Sequence, residues 1–205
     1  NKEGKIDEGI SSKSQKELQI LRELANKVKK GNSIFVTNFG DGATEQGVLH
    51  ECLNLAALFE VPVLFLCEDN GLAVHARKHE RQKYDLEKLV GAYGIRFADV
   101  EKGNDPEEVY RKTALIVKEV RDSGKPSFLR IHTARYLEHV GPNDDLNFGY
   151  RSEAELEPWK KSDPCFEYID KNAGEVEKIS AEIEEAVKFA LNSAVTPSSE
   201  LTTDV

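Results

Sequence analysis

The sequence has 205 residues, of which 32% are charged and 39% hydrophobic, a mixture typical of a water-soluble globular protein with one substantial core. Its 37 acidic and 28 basic residues give a net charge of -9, which argues against a surface for nucleic acid. No apolar stretch approaches the roughly 20 residues that span a bilayer, and the polar N-terminus does not have the pattern of a signal peptide. We therefore predict no nucleic-acid or membrane partner, and the three scattered cysteines favour a reducing, cytoplasmic location.

The first third of the chain predicts a flexible terminus, a helix and then a strand–helix–strand unit. Residues 1–16 are polar, whereas apolar residues recur at three- and four-residue steps from Gln15 until Gly31. A β-branched strand over residues 34–39 follows. Residues 43–60 have apolar side chains on more than one face, which predicts a helix buried on both sides, and residues 63–66 predict a second buried strand. This is the crossover unit of a parallel sheet.

The alternation of helices and strands continues along the chain. We predict helices over residues 86–93, 106–122 and 176–191, strands over residues 95–100 and 126–132, and a loop over residues 138–151. The predicted fold is α/β, with a doubly wound, mostly parallel sheet and helices on both faces. Residues 17–192 would form one domain, followed by a tail over residues 193–205.

An aspartate between two glycines follows the first strand, in the sequence Gly40-Asp41-Gly42-Ala43. The glycines let the backbone approach a phosphate, and the start of the next helix attracts an anion. A carboxylate placed there would repel the phosphate unless a hard cation such as Mg²⁺ lay between them. The alternative is a turn aspartate without a ligand.

A second polar loop, Glu68-Asp69-Asn70-Gly71-Leu72, follows the second strand. An amide oxygen from Asn70 and a nearby main-chain carbonyl are hard ligands that would complete the shell of Mg²⁺. Because parallel strands end at the same edge of a sheet, we expect Asp41 and Asn70 to meet there. The alternative is that Asn70-Gly71 forms a hairpin turn. Beyond it, the charged run over residues 77–83 predicts a solvated or partner-facing segment.

These two loops resemble the thiamine-diphosphate motif in the alpha subunit of 2-oxo acid dehydrogenases. The resemblance covers residues 32–192 and implies a transketolase-like fold that binds thiamine diphosphate. It implies oxidative decarboxylation of a 2-oxo acid, of pyruvate, branched-chain or acetoin type, with transfer of the acyl group to a lipoyl-bearing acyltransferase. Further segments that resemble the family are Arg135-Tyr136, Gly149-Tyr150-Arg151 and Lys161-Ser162-Asp163-Pro164.

The resemblance also implies residue roles. Asp41 and Asn70 match the side-chain ligands of Mg²⁺, and Leu72 matches the position that supplies a main-chain carbonyl. Gly42 and Ala43 match residues that contact the diphosphate. The cofactor carries out the difficult chemistry, and the protein positions it.

His139 matches a loop histidine near the cofactor, and it is the catalytic residue that the resemblance implies for this chain. The alternative is a surface loop histidine. Asp69 stands where the family usually has an asparagine. Val140 and Gly149 stand where mammalian pyruvate enzymes have regulatory serines, so phosphoserine control at these positions is excluded.

The resemblance implies a beta subunit as partner, in a heterotetramer of two alpha and two beta subunits, which supplies the glutamate that activates the cofactor. The family has a long N-terminal region, whereas about 30 residues precede the first strand here, and the absence of methionine favours a processed or truncated product. We therefore expect half a site, weak cofactor binding and no turnover by this chain alone. The alternative is a non-catalytic binding or assembly module. A dinucleotide-binding domain is disfavoured, because no Gly-x-Gly-x-x-Gly opens the first crossover helix.

Overall fold

A computed structural model of the protein describes residue 31 and residues 33–202. The helix predicted to begin at Gln15 and the polar terminus before it lie outside these described residues. The chain divides into two compact units, residues 1–162 and residues 163–205.

The strands and helices follow the predicted alternation. In chain order the strands are β1 (Phe35–Gly40), β2 (Val63–Asp69), β3 (Leu72–Ala73), β4 (Ala76–Arg77), β5 (Arg96–Val100) and β6 (Ser127–His132). The helices are α1 (Gly47–Leu58), α2 (Lys78–Arg81), α3 (Leu86–Ala92), α4 (Pro106–Ser123), α5 (Glu153–Ser162), α6 (Pro164–Lys171) and α7 (Ala173–Asn192), with 3₁₀ turns at Asp41–Glu45, Leu146–Phe148 and Ser198–Thr202.

A parallel sheet organises the first unit. Its strand order is β1-β2-β6-β5, and all three strand pairs are parallel. Strands β3 and β4 form a separate antiparallel hairpin directly after β2. Parallel strands need crossover connections, and α1, α3 and α4 supply them.

Two hydrophobic clusters cover the two faces of this sheet. Helices α1 and α3 contribute Leu53 and Val90 to the first cluster, where they pack against strand residues such as Phe65. Helix α4 contributes Ile116 to the second cluster, on the opposite face, together with Leu64 from β2. Successive residues of a strand point to opposite faces, which is why Leu64 and Phe65 lie in different clusters. The doubly wound α/β fold with helices on both faces is confirmed.

Helix α4 begins and ends where the sequence predicts. The Asp105 carboxylate accepts the main-chain N–H groups of Glu107 and Glu108 at 3.0 and 3.1 Å, and Pro106 occupies the first turn. Gly124 ends the helix in the left-handed conformation, with φ of 67°.

We expected α1 to be buried on both sides, and this prediction is wrong for the described residues. Val48 is 60% exposed and Cys52 is also exposed. These side chains face an apolar groove of about 500 Å³ between α1 and β1, which is an edge strand within the described sheet. The expectation failed because no described element packs on the outer side of β1.

The second unit contains α6 and α7. Helix α6 starts with Asp163 as its cap, whose carboxylate accepts the Cys165 N–H at 2.9 Å. Helix α7 has 20 residues, and its large apolar side chains, including Ile183 and Val187, are exposed. Among the described residues, no helix is both long enough and apolar enough to cross a lipid bilayer.

Candidate functional site

The two candidate loops leave the same edge of the sheet at neighbouring strands. The parallel register pairs Gly40, at the end of β1, with Glu68 of β2. Asp41 comes one residue after Gly40, and Asn70 comes two residues after Glu68. The loops also touch: a Cβ atom added to Gly42 would lie 2.8 Å from the Cβ of Ala73. The structure therefore brings the loop that contains Asp41 and Gly42 against the loop that contains Asn70 and Leu72.

Asp41 is almost completely buried, with 1% of its surface exposed. It opens the 3₁₀ turn Asp41–Glu45, and its carbonyl accepts the hydroxyl of Thr44 at 2.6 Å. Burial raises the pKa of Asp41 above its ordinary value, and the negative charge of Asp69 adds to this rise, whereas a hydrogen bond from Arg81 opposes it. Asp41 is thus a carboxylate in a site that favours a nearby cation.

Asn70 shapes the second loop through its side chain. Its Oδ1 accepts the N–H of Leu72 at 2.9 Å, and Asp69 accepts the N–H of Gly71 at 3.1 Å in the same way. The hairpin β3–β4 begins only after Gly71, and its tip contains Val74 with φ of 55°. The alternative that Asn70-Gly71 is itself the hairpin turn is wrong.

Helix α2 places two cations on these carboxylates. Arg81, whose side chain is 11% exposed, forms ion pairs with Asp41 and Glu45, and Lys78 forms one with Asp69. The prediction that residues 77–83 are solvated is therefore wrong for Arg81, whereas the Lys78 side chain is 31% exposed. The alternative of a partner-facing segment stays a prediction. Charge complementarity between this run and the acidic loops was the signal that could have indicated the contacts.

The segment after α2 is bound to the same 3₁₀ turn. Gln82 donates to the Thr44 hydroxyl at 2.9 Å, and the Tyr84 hydroxyl donates to the Thr44 carbonyl at 2.5 Å. Residues 81–84 thus pack along the turn that carries Asp41.

The donor set fits a hard divalent cation. Asp41 and Asn70 offer side-chain oxygens and Leu72 offers a carbonyl, which are the ligand types that Mg²⁺ prefers. Burial raises the pKa of the neighbouring Cys67 thiol to about 12, and the charges of Asp69 and Asp41 add to this rise.

The residues matched to the diphosphate lie beside this donor set. Gly42 and Ala43 belong to the 3₁₀ turn, and Ala43 also lines the apolar groove. Helix α1 starts at Gly47, four residues later than predicted, because residues 41–45 form the 3₁₀ turn instead.

His139 is exposed on a short turn over residues 138–143. Glu138 closes this turn, since its N–H donates to the Asn143 carbonyl at 2.9 Å and its carboxylate accepts the Asn143 N–H at 3.2 Å. His139 is open to solvent in this conformation.

A buried ion pair fixes the base of the same loop. The Asp145 side chain is fully buried and the Arg151 side chain is 3% exposed. Arg151 donates through Nε to Asp145 at 2.8 Å and through Nη2 to the carbonyls of Leu137 and Tyr136 at 3.0 and 3.2 Å. Arg135 forms an ion pair with Asp145 at 3.2 Å. These contacts give the Arg135 and Arg151 segments a structural role.

A further polar cluster lies at the ends of β5 and β6. Donor atoms of Asp99, Glu101 and His132 lie within 4.8 Å of one another. Arg130 donates through Nε to Asp99 at 2.9 Å. Although burial raises the pKa of Asp99, hydrogen bonds from Arg130 and His132 outweigh it and hold that pKa well below its usual range. The pair of Asp99 and Arg130 was not predicted from the sequence. It forms because the parallel register of β5 and β6 places these two residues opposite each other.

The fold and these loops define an α/β domain with oxygen donors at the ends of the neighbouring strands β1 and β2, and comparison with known proteins assigns its family. The family model described as "Dehydrogenase E1 component" matches residues 7–200. The chain belongs to this family.

Curated relatives support the assignment. The chain is 34% identical over 196 residues to the pyruvate dehydrogenase E1 component subunit alpha of Rickettsia felis, an alignment that covers 88% of this chain and 58% of the relative. It is 36% identical over 146 residues to the 2-oxoisovalerate dehydrogenase subunit alpha of Bacillus subtilis, covering 68% of this chain and 42% of the relative. The chain thus spans less than two thirds of the length of these relatives.

Solved transketolases are also similar. A transketolase variant from Pichia stipitis has a TM-score of 0.47 at 19% identity, and the transketolase from Leishmania mexicana has a TM-score of 0.45 at 20% identity. Each alignment covers 57% of this chain and 18% of the transketolase chain.

Proposed function

We propose that this chain is the alpha-type subunit, or a fragment of it, of a thiamine-diphosphate-dependent 2-oxo acid dehydrogenase. The observation that carries the proposal is the parallel register of β1 and β2, which places Asp41 and the loop over residues 70–73 at one edge of the sheet, in contact through Gly42 and Ala73. The family assignment supports the same cofactor class.

In this proposal the chain binds and orients Mg²⁺ and the diphosphate. Asp41, Asn70 and the Leu72 carbonyl would hold the metal, and Gly42 and Ala43 would contact the diphosphate. Bound thiamine diphosphate supplies the electron sink for decarboxylation of the 2-oxo acid. The buried position of Asp41 supports its role, because a carboxylate that is shielded from water binds a cation more strongly than an exposed one.

His139 is proposed as the residue of this chain that contacts the cofactor during catalysis. Its turn is exposed while its base is fixed by Asp145 and Arg151. A fixed base with an exposed tip leaves the His139 side chain accessible to a partner and a cofactor.

The proposed partners are a beta subunit, in a heterotetramer of two alpha and two beta subunits, and a lipoyl-bearing acyltransferase. The proposed location is the cytoplasm, without nucleic-acid or membrane partners. Relatives named for pyruvate and for 2-oxoisovalerate both match, which supports pyruvate and a branched-chain 2-oxo acid as substrate candidates. Acetoin stays a candidate on the resemblance of the sequence alone.

Calorimetric titration with thiamine diphosphate and Mg²⁺, with and without the beta subunit, tests the proposal. We expect weak binding and no turnover by the chain alone, and tight binding with the beta subunit. Asp41→Asn should abolish the Mg²⁺-dependent part of the binding, whereas Asp122→Asn, at an exposed position of α4, should retain it. Turnover by the purified single chain would contradict the half-site proposal.

A non-catalytic binding or assembly module is the second candidate. It is favoured by the ion pairs of Arg81 and Lys78, which already neutralise Asp41 and Asp69. Absence of cofactor binding both with and without the beta subunit would select this candidate.

A further inference from the structure

Arg81 bridges two acidic side chains of the 3₁₀ turn from a distant position in the sequence. Its Nη2 contacts Asp41, its Nη1 contacts Glu45, and its Nε donates to the Ala76 carbonyl at 3.2 Å. All three nitrogens of the guanidinium therefore have acceptors, and the group is nearly buried. Arg81 supplies the positive charge that the buried Asp41 carboxylate needs.

We propose that Arg81 is an internal counter-cation for Asp41, and that a divalent cation binds Asp41 by displacing the Arg81 guanidinium. This inference rests on the proposed function, because it uses Asp41 as a metal ligand. A guanidinium and a divalent cation on one buried carboxylate repel each other, since few water molecules can screen them. One of the two cations therefore has to leave Asp41.

The surrounding contacts determine how the exchange takes place. Gln82 and Tyr84 remain hydrogen-bonded to Thr44 and hold the backbone of residues 81–84 in place. Glu45, which is 22% exposed, offers Arg81 a second carboxylate. The Arg81 side chain thus releases Asp41 and stays with Glu45, so the exchange needs a side-chain rotation and no movement of the segment.

The exchange makes metal affinity depend on Arg81. In the native chain each divalent cation must break the Arg81–Asp41 pair before it binds. The apparent affinity is therefore lowered to the fraction of chains in which Arg81 has already released Asp41. Removal of the guanidinium removes this competition. A residue that only supported the metal site would have the opposite effect.

Mn²⁺ binding to the full chain without thiamine diphosphate, measured by electron paramagnetic resonance of the free ion, tests the inference. Arg81→Gln should bind Mn²⁺ about tenfold more tightly than the native chain, and Arg96→Gln should stay within about twofold of it. Arg96 is a matched control, because it also loses an ion pair, with Glu119, but lies on the opposite edge strand.

The outcomes separate this inference from the proposed function. Equal or weaker Mn²⁺ binding by Arg81→Gln would overturn the inference and leave the metal site intact. Mn²⁺ binding that is absent from both chains, or unchanged by Asp41→Asn, would overturn the metal site and the inference together.

A second measurement follows the guanidinium directly, because loss of its charge alone also raises affinity for a cation. The Nε–Hε signal of Arg81 in ¹⁵N nuclear magnetic resonance spectra can be assigned by its absence in Arg81→Gln. This signal should shift as Mg²⁺ saturates the native chain and should stay fixed in Asp41→Asn. An unmoved signal at saturating Mg²⁺ would overturn the exchange.

The role of Glu45 is tested by a double-mutant cycle. Glu45→Gln should weaken Mn²⁺ binding when Arg81 is present, since Arg81 loses its second anchor, and should have little effect in the Arg81→Gln background. A similar loss in both backgrounds would overturn the anchoring role of Glu45.

Discussion

The contact between Gly42 and Ala73 makes Gly42→Ala a sharp test of the candidate site. The added Cβ would lie 2.8 Å from the Cβ of Ala73 and 3.5 Å from its Cα, whereas two carbon atoms pack favourably at about 3.5–4.0 Å. The two loops would have to separate by roughly 0.7–1.2 Å, and overpacking of this kind costs about 1–3 kcal/mol in the free energy of unfolding. Productive geometry at a binding site has to be held within about 0.5 Å. We therefore expect Mg²⁺-dependent cofactor binding to be lost as well.

Gly47→Ala is the matched control, because nothing lies within 4 Å of the Cβ that it would add at the start of α1. Alanine is the better helix former, so this variant should be unchanged or more stable by up to about 1 kcal/mol. Urea unfolding followed by the fluorescence of Trp159 reports on residues 1–162, because Trp159 is the one tryptophan of the chain. Equal unfolding midpoints and equal cofactor binding for the two variants would refute the close approach of the loops.

Three further predictions concern other parts of the fold. Cys67 is fully buried with a raised pKa, so Ellman's reagent should titrate two thiols in the native chain and the third only after denaturation. Arg151→Gln leaves the buried Asp145 carboxylate with Arg135 as its remaining ion-pair partner and should lower the free energy of unfolding by about 1.5–3 kcal/mol, with faster proteolysis of residues 138–143. Asp99→Asn should lower it by about 1–3 kcal/mol at pH 7. Because the folded pKa of Asp99 lies below the unfolded value of about 3.9, this difference should shrink as the pH falls below 4.

Each of these predictions has an outcome that contradicts it. Three thiols that react at the same rate in the native chain would show that Cys67 is accessible. We expect Arg151→Lys to be as unstable as Arg151→Gln, because lysine cannot reproduce the several directed hydrogen bonds of Arg151. Full stability of either variant would contradict the argument from the buried ion pair. A stability difference for Asp99→Asn that grows on acidification would contradict the sign of the pKa shift.

The sequence was sufficient to predict the elements whose stability is local or patterned. Helix α4 could be located because its cap, its proline and its apolar positions are all encoded within its own residues. Strand β2 begins with a continuous apolar run, residues 63–67, because both of its faces are covered. The strand ends that carry Asp41 and Asn70 could also be identified, because glycine and polar residues interrupt the apolar runs there.

The sequence was not sufficient where contacts between distant residues decide the structure. Strands β3 and β4 have two residues each, too few to show the alternation of apolar and polar residues that marks a strand. Val74, at the tip of their hairpin, adopts a positive φ that valine disfavours. The inward position of Arg81 depends on its contact with Asp41, which lies 40 residues earlier in the sequence. Similarly, the exposed side of α1 depends on what packs beyond β1, which the pattern of α1 alone does not encode.

The in-register pairing of β1 with β2 has a consequence for how this family can diverge. The spacing between the two loops is set by main-chain hydrogen bonds, which most side-chain substitutions leave unchanged. Relatives that share only about a third of their residues with this chain can therefore retain the same spacing. An inserted or deleted residue inside either strand would instead turn one loop to the opposite face of the sheet. Length in these two strands is thus under tighter constraint than composition.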